Sequence, residues 1–184
     1  IIINNKNVGA GESRNIAAKA CKGNYIAFID ADDLWLPNKL KKQVYFMKKN
    51  KISISHTSYN IINEFNETIS SREAKTLKFK DLINSCDVGL STVMIKKKLF
   101  LKNHFPNLKT KEDYVLWLKL SKKGHIFYSI NEQLVLWRQT SNSLSSSILQ
   151  KLLDGYRVYR IYLKFSYFKS LYHLFFLSLY YLKK

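Results

Sequence analysis

Three carboxylates fall within four successive positions, Asp30-Ala31-Asp32-Asp33, directly after the apolar run Tyr25-Ile26-Ala27-Phe28-Ile29. Groups this close repel one another unless a cation or a set of hydroxyl donors sits among them. Oxygen-only donor sets suit Mg²⁺ or Mn²⁺, and those ions usually hold phosphates. The apolar run reads as a strand inside a sheet, and ligands of open α/β sheets bind beyond the carboxyl ends of the strands. Position and chemistry therefore agree on a metal–diphosphate site. Asn7, Gly9, Arg14 and Asn15 fall in a turn and at the start of a helix, where backbone N–H groups and a guanidinium favour phosphate. Gly9-Ala10-Gly11 lacks the third small position and the later acidic residue of a dinucleotide-binding loop, which excludes that reading. Asp33 is read as a cap for the helix that begins near Pro37.

These side chains need elements to hold them. Ile1–Ile3 is expected as a short strand, Asn4–Gly11 as a turn, and Glu12–Cys21 as a helix with Ile16, Ala17 and Ala20 on one face. After the strand Tyr25–Ile29, Pro37 opens a helix. Its inner stripe is expected to be Leu36, Leu40, Val44 and Met47, and its outer face Lys39, Lys41, Lys42, Lys48 and Lys49. Ile52–Tyr59 alternates as a strand does, and the polar stretch Asn60–Lys75 is a hairpin or loop. Phe79–Asn84 is a short helix, Leu90–Ile95 a strand and Lys97–Leu101 a helical turn. An apolar helix follows Lys109–Asp113 and closes at Gly124; His125–Ser129 and Gln133–Trp137 read as two strands. From Ile148 to Lys184 one basic, aromatic helical pattern continues, with a break near Ser166 or Ser170.

The 184 residues are 46% hydrophobic and 14% aromatic, enough for a buried core and against wholesale disorder. Thirty-one Lys and Arg against thirteen Asp and Glu give a net charge of +18. A charge of this size admits nucleic acid, an anionic membrane or phosphorylated substrates as partners. No zinc-finger spacing, aromatic RNA-binding signature or Arg-rich helix supports nucleic acid. Cys21 and Cys86 are far apart and fit a reduced, cytosolic setting. The four histidines show no ligand pattern.

The order of motifs carries a likeness. Asn7-Val8-Gly9, Ser13-Arg14-Asn15 and Gly23 through Asp30-Ala31-Asp32-Asp33-Leu34-Trp35-Leu36-Pro37 resemble the family 2 glycosyltransferases of the GT-A fold. Glu112-Asp113-Tyr114 with Leu116-Trp117-Leu118 resembles the family's ED motif and its helix. Trp137-Arg138 with Ser141-Asn142-Ser143-Leu144-Ser145 is similar to its late strand and Ser-rich loop. A lone D-x-D is weak; four ordered motifs are specific.

The resemblance implies an α/β GT-A fold, a Rossmann-like mixed sheet flanked by helices. It implies an inverting, metal-dependent transfer from a nucleotide-diphosphate sugar, a UDP-sugar foremost, with Mn²⁺ or Mg²⁺. The nearest subgroup builds bacterial surface polysaccharide, teichuronic-acid-like polymer or lipooligosaccharide. The processive Gln-x-x-Arg-Trp motif is absent, which favours addition of one sugar. The resemblance also leads to the expectation of a partial GT-A domain at 1–147 that starts just before the family's third strand, without its first βα units, and of a helical tail at 148–184. A non-catalytic remnant that only binds a partner is the competing reading.

By the same resemblance Asp113 is the catalytic base, set against the simpler reading of Glu112 and Asp113 as complements to a helix dipole. Asp32 holds the metal. Asn7, Gly9, Arg14, Asn15, Asp30 and Arg138 are donor-binding, and Glu112 and Trp117 lie on the acceptor side. The acceptor is a glycan or a lipid-linked precursor. The tail sets Lys151, Arg157, Arg160, Lys164, Lys169, Lys183 and Lys184 among Tyr, Phe and Leu, with Leu152, Tyr156, Tyr159 and Leu163 in one stripe. A basic amphipathic helix of this kind suits the inner face of the cytoplasmic membrane, and packing on the catalytic domain is the alternative.

Overall fold

The computed structural model describes residues 1–140 and 148–182. The Ser-rich segment Ser141-Asn142-Ser143-Leu144-Ser145 and the tail residues Lys183 and Lys184 lie outside the described residues.

Six strands form one mixed sheet: β1 (Tyr25–Ala27), β2 (Leu34–Trp35), β3 (Ile54–Ile62), β4 (Thr68–Arg72), β5 (Met94–Lys96) and β6 (Tyr128–Arg138). Their order is β1-β5-β3-β6-β2, with β4 paired to the far half of β3. Only β3 and β6 run parallel; the other pairs are antiparallel. Alternation along the strands divides the core. Ile26 and Ile95 face a large cluster, whereas Tyr25, Ala27 and Met94 face a smaller one built on Met47 and Ile52. This is the period-2 pattern of a sheet covered on both faces.

The helices are α1 (Ala10–Ala20), α2 (Lys39–Lys49), α3 (Phe79–Leu82), α4 (Lys97–Leu101), α5 (Glu112–Lys122), α6 (Ile148–Arg157) and α7 (Tyr167–Leu182). A π-helical turn, Val158–Tyr162, continues α6. The large cluster is threaded by aromatic rings. Phe28, Phe100 and Phe105 meet one another at 5.2–5.3 Å, Trp117 stacks edge-on to Phe105 at 6.2 Å, and Phe127 to Trp117 at 5.3 Å. Such pairs add about 0.5–1.5 kcal/mol each beyond the area they bury.

Several expectations fail for identifiable reasons. Ile1–Ile3 is exposed and forms no strand. The two late strands are one, β6, because Asn131-Glu132-Gln133 stays extended through a register shift opposite Thr57 and Ser58. The Ser58 hydroxyl donates to Asn131 Oδ1 there, 3.0 Å away. The inner faces of two helices are rotated from those expected. α1 buries Gly11, Asn15 and Ala18, and α2 buries Lys39, Gln43 and Met47, while Leu40 is 45% exposed.

The C-terminal helices join the main core: Val158, Tyr159, Leu163 and Leu177 belong to the large cluster. The Tyr159 hydroxyl donates to the Ile83 carbonyl at 2.7 Å. The helical pattern is interrupted at Lys164, which is left-handed at φ 57°. No described helix is long and apolar enough to cross a membrane.

Candidate active site

The turn before α1 is set by Asn7, whose Oδ1 accepts the Gly9 amide at 3.0 Å. Gly9 sits at φ 82°, a conformation natural to glycine, and starts the helix. Two residues on, Gly11 lets α1 lie against the start of α5. A Cβ there would come within 3.2 Å of Glu112 Cγ and 3.3 Å of the Pro106 carbonyl. That approach brings Arg14 between two carboxylates distant in sequence. Its guanidinium donates to Asp30 Oδ1 at 2.5 Å and to Glu112 Oε1 at 2.6 Å. Burial alone would lower the Arg14 pKa, but the two carboxylates raise it above its ordinary value. Arg14 thus joins the acidic loop to the first turn of α5.

Ser91 positions the loop from the other side. Its hydroxyl accepts the Asp30 amide at 3.0 Å, and its carbonyl accepts the Trp35 indole N–H at 2.8 Å. Asp33 is buried, with Oδ1 accepting the Arg138 amide at 2.9 Å. Its Oδ2 is buried without a hydrogen-bond partner among the described residues. Burial pushes the Asp33 carboxyl up to about 6 against the pull of the Ser91 hydroxyl and the Arg138 amide, and Asp30 and Asp32 add to the rise. Asp33 caps no helix: α2 starts behind left-handed Asn38, with no side-chain cap bond.

Arg138 clips the loop to the β3–β4 hairpin. Its Nε donates to the Asp32 carbonyl at 2.9 Å, Nη1 to the Asn63 carbonyl at 2.9 Å, and Nη2 to Asn66 Oδ1 at 2.7 Å. Asp32 itself is exposed, and its carboxylate makes no hydrogen bond or ion pair with any described residue. Among the described residues no three His, Cys, Asp or Glu side chains are grouped as a metal cage. The exposed Asp32 carboxylate fits an ion that completes its shell with phosphates and water.

Asp113 stands half-buried in the first turn of α5, its Oδ1 accepting the Tyr114 amide at 2.7 Å. Burial, and then the charge of Glu112, push its carboxyl up to about 6, while the Tyr114 amide, Arg14 and Lys111 pull it down. A carboxylate tuned to that range can accept a proton near neutral pH.

The structure brings Arg14, Asp30, Glu112 and Asp113 into one cluster, with Asp32, Asp33 and Arg138 along the adjoining loop. Two expected residues are corrected. Asn15 is 3% exposed, and its amide is fully engaged: Nδ2 donates to Glu12 and to the Phe105 carbonyl, and Oδ1 accepts the Phe105 amide. It fastens α1 to the chain at Phe105 and has no group left for a donor. Trp117 has no exposed surface and is enclosed by Phe105 and Phe127, so it cannot flank an acceptor.

Lys39 and Gln43, expected outside or unremarked, stand behind the loop. Lys39 is 1% exposed, its Nζ 2.7 Å from Gln43 Oε1 and 4.2 Å from the centre of the Trp35 ring. Gln43 donates on to the Thr92 carbonyl and to Ser55. Only the four-residue spacing of Lys39 and Gln43 hinted at this.

Comparisons with known proteins agree with this geometry. The profile described as Glycosyl transferase family 2 matches residues 1–107. The putative teichuronic acid biosynthesis glycosyltransferase TuaG of Bacillus subtilis (strain 168) is 33% identical over 157 residues, 84% of this chain and 62% of that protein. The Escherichia coli UDP-Glc:alpha-D-GlcNAc-diphosphoundecaprenol beta-1,3-glucosyltransferase WfgD is 35% identical over 146 residues, 78% of this chain and 57% of that protein. The chain thus spans about three fifths of the length of these relatives. The crystal structure of S. aureus TarS 1–349 with UDP-GlcNAc superposes with a TM-score of 0.65 at 19% identity, covering 84% of this chain and 46% of that one. The mixed sheet flanked by helices is therefore the expected GT-A fold, and the chain belongs to glycosyl transferase family 2.

Proposed function

We propose that this glycosyltransferase moves one sugar from a nucleotide-diphosphate sugar, a UDP-sugar by preference, to a lipid-linked or surface-glycan acceptor, with inversion. The observation that carries the reading is the Arg14 fork, which ties the acidic loop at Asp30 to the ED turn at Glu112. Donor and acceptor chemistry need that adjacency.

In this reading Asp113 takes the proton of the acceptor hydroxyl. The hydroxyl oxygen bonds to the anomeric carbon from the face opposite the nucleotide. The bond from that carbon to the diphosphate oxygen breaks, and its electron pair leaves with the nucleotide diphosphate. Arg14 and Glu112 hold the base and the loop at a fixed spacing, and Asn7 and Gly9 shape the turn that faces the donor. Arg138 acts on the donor side by fixing the loop through the Asp32 carbonyl and the Asp33 carboxylate. A Mn²⁺ or Mg²⁺ ion held by Asp32 and the donor's phosphates would supply a Lewis acid to the departing diphosphate.

Work at the inner face of the cytoplasmic membrane is supported by the outer side of α7. Phe168, Leu171, Tyr172, Phe175 and Phe176 are exposed there, near exposed Lys164 and Lys169. WfgD, by its name, acts on a diphosphoundecaprenol-linked sugar.

The test is transfer by the intact protein from a panel of UDP-sugars to a lipid-diphosphate-linked sugar, with product configuration read by NMR. Activity should require Mn²⁺ or Mg²⁺, fall at least a hundredfold in Asp32→Ala, and invert the anomeric centre. Undiminished turnover in excess chelator would remove the metal, and a retained configuration would remove Asp113 as the base.

A further inference from the structure

A buried carboxylate outside the cluster reaches the ED turn from the C-terminal helices. Asp154, on α6, has no exposed surface. Its Oδ2 accepts the Thr110 backbone amide at 3.1 Å and the Thr110 hydroxyl at 2.7 Å, and also Gln150 Nε2 at 2.9 Å. Its Oδ1 accepts Arg157 Nη1 at 3.1 Å. Burial works against its charge, but the hydrogen bonds from Gln150, Thr110 and Arg157 outweigh it and hold the carboxyl below its ordinary range. Asp154 is therefore a fixed anion with four donors around it.

Thr110 is three residues before Asp113. Between them Lys111 is left-handed at φ 63°, and it starts α5 with no side-chain cap bond. A left-handed non-glycine residue persists only where its surroundings hold it. α6 also lies close at this point, since a Cβ on Gly155 would come within 3.8 Å of Lys111 Cε. Asp154 supplies both a main-chain and a side-chain hold on the residue that enters the strained turn. On the far side of that turn Arg14 holds Glu112. The candidate base is thus fixed from two directions, by α1 and by α6.

We propose that Asp154 is a positioning residue for the transfer reaction: by holding Thr110 it sets the left-handed turn that presents Asp113 to the acceptor. The proposal rests on the reading of Asp113 as the base. It also gives the C-terminal helices a part in the chemistry, because the residue that orients the base is rooted in them. A displacement of about 1 Å at a reacting group can cost up to a hundredfold in rate, while donor contacts made elsewhere are untouched.

The test compares Asp154→Asn, Thr110→Val and Thr110→Ser in the intact protein. The readouts are kcat, donor KM and hydrogen exchange of the amides at 110–114. Asp154→Asn and Thr110→Val should lower kcat about tenfold or more, keep donor KM within twofold, and speed exchange at 110–114. Thr110→Ser keeps the hydroxyl and should restore both rate and protection. Faster exchange with full kcat would overturn the proposal, and so would a parallel loss of kcat and donor affinity, which marks general loosening. Asp113→Asn separates the two ideas. If it turns over at the parent rate, the base assignment fails and the positioning proposal fails with it; if it is inactive while Asp154→Asn is fully active, only the positioning proposal fails.

Discussion

At the scale of single residues, Asp113 makes the sharpest demand. Its carboxyl, pushed up to about 6 by burial and by Glu112, must be ionised to accept a proton. The rate should therefore fall tenfold per unit as pH drops below about 6, and a pH–kcat profile flat from 5 to 8 would exclude the role. The same shift has a stability sign. A carboxyl with a raised folded pKa binds its proton more tightly in the fold, so its contribution is present at low pH and is lost as pH rises through about 6. Asp113→Asn removes that cost. The variant should lose activity yet melt roughly 2–4 °C higher at pH 8, equivalent to about 1 kcal/mol, with the advantage shrinking below pH 6. The charged members of the site were legible in the sequence because carboxylates at a strand end and a helix start have few structural reasons to occur together. Asn15 and Trp117 were not. An amide can bind a ligand or a neighbouring backbone equally well, and only the position of Phe105 decides which.

At the scale of elements, the inward faces of α1 and α2 explain where pattern reading fails. Periodicity counts apolar residues, but these helices turn Asn15, Lys39 and Gln43 inward because each finds a polar partner there: Asn15 the Phe105 carbonyl, Lys39 the Gln43 side chain one turn on, and Gln43 the Thr92 carbonyl. Lys39 makes this measurable. Burial lowers its ammonium to about 7, so the unfolded chain binds the proton more tightly between about pH 7 and 10.5. Stability should rise with pH across that window. In Lys39→Met the rise should vanish, even though Gln43 loses a donor and the absolute melting temperature shifts. A pH–Tm slope above 7 unchanged by the substitution would show that Lys39 is protonated and solvated in the fold.

At the scale of the whole molecule, the C-terminal helices have two unlike sides. One carries Tyr159, Leu163 and Leu177 into the core; the other leaves a row of aromatic and aliphatic side chains exposed beside Lys and Arg. Sequence pattern revealed the mixture of basic and aromatic residues, but it could not show that Tyr159 would anchor to the Ile83 carbonyl. If the outer row meets an anionic leaflet, the intact protein should bind phosphatidylglycerol-containing vesicles at least tenfold more tightly than neutral ones. That preference should weaken with salt. Phe168→Ser with Phe175→Ser should reduce binding to both vesicle types, and equal partition of the parent protein would remove the electrostatic part of the claim.

The clip at Arg138 also sets a schedule. The amide that Asp33 accepts comes from a residue 105 positions later, and Glu112 is 98 positions beyond Arg14. At about 5–20 residues per second of synthesis, the acidic loop waits roughly 5–20 s before β6 exists to hold it. Contacts of such long range also slow refolding from denaturant, because the chain must close large loops before it gains their bonds. Helix α2 can form early, but β1 waits for β5 and β2 for β6, and the loop takes its final shape only after Arg138 has been made. A nascent chain halted before β6 would carry the motif without the site.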